Sequence, residues 1–108
     1  MSGNAVVLST AGSEVEASRI ARALVERRLA ACVNVVPGVA STYRWGGAVR
    51  SDSEWLLIVK TRRERFDEVR ATIRELHSYA LPEAVMLEIA DGDPAYLAWI
   101  DASLEDAP

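Results

Sequence analysis

Apolar positions along the 108-residue chain change their period several times, and each change predicts an element. Residues 4–10 (NAVVLST) form a short β-rich run and predict a first strand. Ser13 and Glu16 then stand at the spacing of a capping box, in which each side chain satisfies the other's backbone donor. Ile20, Ala23, Leu24 and Ala31 recur at helical spacing, which predicts a helix to about Arg28.

From Ala30 to Trp45 the chain is rich in Val, Thr, Tyr and Ala, broken only by Pro37-Gly38. Gly46-Gly47 follows, a dipeptide suited to the positive φ angles of a two-residue hairpin turn. Val49 to Thr61 continues as strand, and its Trp55-Leu56-Leu57-Ile58-Val59 run suits a strand covered on both faces. Thr61 and Glu64 predict a second capping box, ahead of an apolar stripe at Phe66, Val69, Ile73 and Leu76. After Pro82, residues 84–89 (AVMLEI) predict a last strand. Asp93 caps a final helix with Pro94 at its first position, where the missing N–H costs nothing. Tyr96, Leu97, Ile100 and Leu104 line that helix.

The order β-α-β-β-α-β plus a terminal helix predicts an α+β fold of the ferredoxin-like, split β-α-β kind. With right-handed crossovers, both main helices cover one face of a four-stranded antiparallel sheet. The length fits one domain over residues 1–108. The central hairpin does not fit inside it. Strands of 14–16 residues reach roughly 45–50 Å when extended, whereas a domain of this size is only about 35 Å across. The hairpin must bend at Pro37-Gly38 or overhang, and an overhanging ribbon exposes Tyr43, Trp45 and Trp55 together with open strand edges. Docking on further copies covers both, so the chain is expected to be an obligate oligomer.

Composition narrows the function classes. Half the residues are hydrophobic, against intrinsic disorder, and no apolar run approaches the ~20 residues of a membrane span. One cysteine cannot make an internal disulfide, and Met1-Ser2-Gly3-Asn4 lacks the basic flank of a signal peptide, so the cytoplasm is the expected compartment. The net charge of −4 hides an asymmetry: residues 1–74 carry all twelve basic side chains and eight acidic ones, while residues 75–108 carry eight acidic and none basic. Such a chain is a poor binder of nucleic acid, whose affinity rests on neutralised phosphates.

Candidate chemistry centres on Cys32, the only thiol, and His77, the only imidazole. They suit a soft metal such as Cu(I), or a nucleophile–base pair. Equally, Cys32 reads as a small strand residue and His77 as a cation at a helix C-terminus. No nucleophile elbow, Walker loop, zincin motif or dinucleotide fingerprint is present, so no enzyme activity and no organic cofactor are expected. Asp91-Gly92-Asp93 reads as a turn before a cap, and Arg62, Arg63 and Arg65 as a solvated face. Lys60, at the end of an apolar strand, is a candidate to line a small-ligand cleft with Tyr43, Trp45, Tyr79 and Glu83.

Ordered motifs then carry a resemblance. Arg28-Leu29-Ala30-Ala31-Cys32-Val33-Asn34, Pro37-Gly38-Val39, Ser41, Tyr43, Trp45 and Gly47 resemble the CutA divalent-cation tolerance family. Glu54, Leu57, Lys60-Thr61, residues 77–83 (HSYALPE), Gly92, Tyr96 and Trp99 continue it, from about Val6 to Ser103. The resemblance implies a ferredoxin-like subunit in a tight cytoplasmic homotrimer, architecturally related to the PII signalling proteins, with clefts at subunit interfaces. It also implies tolerance of copper and other divalent cations, with weakly bound copper at Cys32, His77 and Glu83. Tyr43, Trp45, Lys60 and Tyr79 become the ligand-cleft residues, and neither nucleic acid nor membrane is expected as a partner. Ser78 stands where the family usually has Pro, and Ala80 where it has Glu or Gln, which removes one potential oxygen ligand. Ser9 replaces a cysteine found in some members, so a thiol-rich site within one subunit is not expected. The alternative is a trimeric sensor or scaffold whose interface clefts bind a small molecule and signal to a protein partner.

Overall fold

The structure, a computed structural model, describes residues 3–105. Met1 and Ser2, part of the N-terminal reading, and Asp106 of the acidic stretch lie outside the described residues. The elements run β1 (Asn4–Ala11), α1 (Glu14–Glu26), β2 (Cys32–Trp45), β3 (Ala48–Arg62), α2 (Phe66–Leu76), β4 (Val85–Glu88) and α3 (Pro94–Ser103). One 3-10 turn (Arg63–Arg65) precedes α2. The sheet order is β2-β3-β1-β4, antiparallel throughout, which is the expected split β-α-β arrangement.

Alternation along β1 and β3 sorts side chains to two faces. Val7, Ala11, Leu57 and Val59 are fully buried under Ala17, Ile20 and Leu24 of α1 and Val69 and Ile73 of α2. The opposite face presents Val6, Leu8, Leu56 and Ile58, half-buried, with Val85 and Leu87 exposed on β4. Near one end α3 reaches β1 and β3, where Ile100 and Leu104 are buried and Asn4 Nδ2 donates to Asp101 at 2.8 Å.

Cap chemistry worked partly as expected. Ser13 Oγ accepts from Glu16 N–H, and Asp93 Oδ2 accepts from Tyr96 N–H. The second box does not form: the buried Thr61 hydroxyl donates to the Leu29 carbonyl at 2.7 Å, and no side chain caps α2 or the turn before it. A long-range carbonyl therefore outcompetes the local cap. Nor are the three arginines at and after the end of β3 simply solvated. Arg62 pairs with Glu64 and Asp101, Arg63 with Glu88, and Arg65 donates to the Leu104 carbonyl.

The hairpin overhangs. β1 pairs with β3 only between Trp55 and Arg62, so residues 48–54 and their β2 partners project as a two-stranded arm. The molecule is 48 × 27 × 23 Å, elongated along that arm. The register shifts between Val36 and Val39, with Pro37-Gly38 as the bulge, and Gly46 (φ 61°) and Gly47 (φ 78°) make the turn. One expected arm residue is not exposed. Trp55 packs against the core, because it alternates onto the helix-covered face with Leu57.

Candidate functional site

Chemistry collects where the arm leaves the sheet and the loop from α2 to β4 crosses the end of β1. That loop is held by His77. Its ring is fully buried; Nε2 lies 2.6 Å from the Thr10 carbonyl, which can only accept, so Nε2 carries a proton. On the other side Nδ1 receives the Tyr79 N–H at 3.1 Å and lies 3.0 Å from Glu16 Oε1. The Glu16 carboxylate also accepts from Ser78 N–H at 3.1 Å, so this residue, expected to complete a local cap, clamps a loop 62 positions away. Burial alone would raise the Glu16 carboxyl, but hydrogen bonds from Ser78, with His77 and Arg19 nearby, hold it below the usual carboxylate range.

Tyr79 follows from this clamp. Its ring packs beside the imidazole, centroids 4.5 Å apart, and its hydroxyl donates to Glu54 Oε2 at 2.8 Å. Gly12 makes room: a Cβ there would stand 2.9 Å from the Tyr79 hydroxyl. Across the arm, the Tyr43 hydroxyl donates to Asp52. Burial, then the Glu54 bond and the charges of Glu54, Asp52 and Glu16, raise the Tyr79 phenol well above its ordinary value. The bond to Asp52, with some burial, raises Tyr43. Both rings stay neutral phenols at any physiological pH.

Tyr43, Trp45 and Tyr79, with Ala80 and Leu81, line one cavity of about 320 Å³. Three of the four expected cleft residues thus converge. Lys60 does not join them. It pairs in register with Cys32 and Val6, six positions along β3 from Glu54 and hence roughly 20 Å away, and its ammonium donates to Asn34 Oδ1. Cys32 is half-buried at the start of β2, and Glu83 is exposed in the loop before β4. Among the described residues no group of three His, Cys, Asp or Glu side chains is assembled to hold a metal ion. Sequence spacing does not mark Asp52, Glu54, Glu16 or Gly12 as site residues; the pair of carboxylates on the arm, at 52 and 54, is the one signal, and it points only to the first two.

Comparison with known proteins agrees with this architecture. The family model for the "CutA1 divalent ion tolerance protein" matches residues 5–103. A "Divalent-cation tolerance protein CutA" of Thermus thermophilus is 53% identical over 95 residues, covering 88% of this chain and 92% of that protein. "Protein CutA, chloroplastic" of Arabidopsis thaliana is 41% identical over 98 residues, 91% of this chain but 54% of that protein, so the chain spans about half its length. The crystal structure of CutA from Xylella fastidiosa superposes with a TM-score of 0.93 at 37% identity, covering 95% of this chain and 99% of that one.

Proposed function

The chain belongs to the CutA1 divalent ion tolerance family, and from that premise we propose that it works as a non-enzymatic cytoplasmic homotrimer in divalent-cation tolerance, binding copper weakly. The observation that carries this reading is the uncovered sheet face. Val36, Val85 and Leu87 are exposed there beside half-buried Leu56 and Ile58, next to an arm that one chain leaves unsupported. An apolar face and a projecting ribbon are what symmetric association covers. Among the described residues no helix is long and apolar enough to cross a membrane.

Copper ligation in this reading starts from Cys32, whose thiol stands in the same cross-strand row as Lys60 and Val6 on that face. Glu83 is accessible as a carboxylate, while His77 joins only by giving up its contacts to Thr10 or Tyr79. Because one chain assembles no three-ligand group among the described residues, ligands from neighbouring copies complete the site. Calorimetric copper titration of the wild type, Cys32→Ser, His77→Ala and Glu83→Gln tests it. Loss of affinity in Cys32→Ser supports the assignment; unchanged affinity in all three variants refutes it.

A second reading, a ligand-binding sensor that signals to a protein partner, is favoured by one observation. The cavity at Tyr43, Trp45 and Tyr79 has the volume and aromatic walls of a small-molecule site.

A further inference from the structure

We propose that the cavity between the arm and the loop after α2 binds a small organic ammonium cation, held over the faces of Tyr43, Trp45 and Tyr79 with Glu54 and Asp52 supplying the opposing charge. The inference rests on the reading of this cavity as a ligand site and adds the chemical class of the ligand.

Two independent observations point to a cation. The first is the wall. Three of its five residues are aromatic, and aromatic faces carry negative electrostatic potential that attracts ammonium groups, most strongly the poorly hydrated alkylated ones. The second is an uncompensated charge. Glu54 is only 8% exposed, and Tyr79 is the donor it meets; neither Glu54 nor Asp52 has an ion-pair partner among the described residues. A buried carboxylate without a counter-cation is costly, and a cation in the cavity, separated from Glu54 and Asp52 by the tyrosines that line the wall, offsets part of that cost.

Carboxylates outnumber cations around the cavity. Glu16 on α1 adds a third carboxylate whose field reaches Tyr79. Of the nearby guanidiniums, Arg44 alternates to the other side of the ribbon from Tyr43 and Trp45. Arg50 shares the ribbon face of Tyr43, Asp52 and Glu54 and its charge acts on Tyr43, but its guanidinium reaches toward the turn, 3.8 Å from where a Gly46 Cβ would be, and among the described residues it forms no ion pair with either carboxylate. The tyrosine hydroxyls point their protons at Glu54 and Asp52, which leaves the rings, not the hydroxyls, to meet the ligand.

The test titrates the purified oligomer with hydroxyethyl-trimethylammonium, with its neutral carbon isostere 3,3-dimethylbutan-1-ol, and with sodium chloride as an ionic-strength control. Trp45 reports by its indole N–H resonance, assigned with Trp45→Phe. The proposal expects saturable binding of the cation, at least tenfold weaker binding of the isostere, and a several-fold loss in Glu54→Gln, which keeps an acceptor for Tyr79. Equal binding of cation and isostere overturns the cationic class while leaving the cavity a ligand site. No binding of either, with Trp45 shielded from acrylamide quenching, overturns both and assigns the cavity to a neighbouring copy.

Discussion

The Tyr79 hydroxyl donates to Glu54 across 25 positions of sequence, and this 2.8 Å bond ties the loop after α2 to the root of the projecting arm. Removing it in Tyr79→Phe leaves a buried carboxylate with no donor among the described residues. That change is expected to cost about 1–3 kcal/mol of stability, read by chemical denaturation. Its pH dependence has a definite sign. The folded phenol is raised above its unfolded value, so its contribution is complete below about pH 10 and is lost as pH climbs through the folded value. Wild type and Tyr79→Phe should therefore converge in stability in strong alkali.

Gly12→Ala tests the same contact from below. A Cβ there would stand 2.9 Å from the Tyr79 hydroxyl but 3.5 Å from the nearest ring carbons, which is ordinary contact. The substitution should destabilise the wild type by about 1 kcal/mol and be nearly neutral in Tyr79→Phe. A double-mutant cycle by denaturant melts reads that coupling; equal costs in both backgrounds would contradict it.

Glu16 should contribute to stability against acid. Its folded carboxyl is depressed, so the stabilisation is present above the unfolded value near 4.3 and disappears as pH falls through the folded one. Glu16→Gln should lower stability at pH 7 and flatten the melting-temperature profile below about pH 4.5. The loop should loosen with it, seen as faster amide exchange at Ser78 and Tyr79.

Ser9 offers an opposite effect. Its hydroxyl is fully buried with no hydrogen-bond partner among the described residues, on the face packed against the helices. Ser9→Ala should raise stability by up to about 1 kcal/mol, measured in the same melts. A loss of stability would mean that the hydroxyl has a partner, such as an ordered water.

What the sequence could and could not disclose follows the range of each interaction. Asp93 before Pro94, Gly46-Gly47 in the turn and the Phe66–Val69–Ile73–Leu76 stripe act within a few residues, and each formed as its spacing predicts. Ser13 and Thr61 looked alike as caps, yet only Ser13 caps. The Leu29 carbonyl that captures Thr61 lies 32 positions away and leaves no local trace. The same limit governs the site. Tyr43 and Trp45 share one ribbon face by alternation, but their meeting with Tyr79 depends on His77 finding Thr10 and Glu16. Residue type alone groups Lys60 with them, and the strand register puts it at the other end of β3.

Association through the open sheet face, with copper held between copies, is the central proposal. Native mass spectrometry of untagged protein, loaded with copper and compared with Cys32→Ser, tests it most directly. A three-chain particle is expected in both proteins, with bound copper lost in Cys32→Ser. A stable monomer at micromolar concentration, or copper retained equally by both proteins, would contradict it.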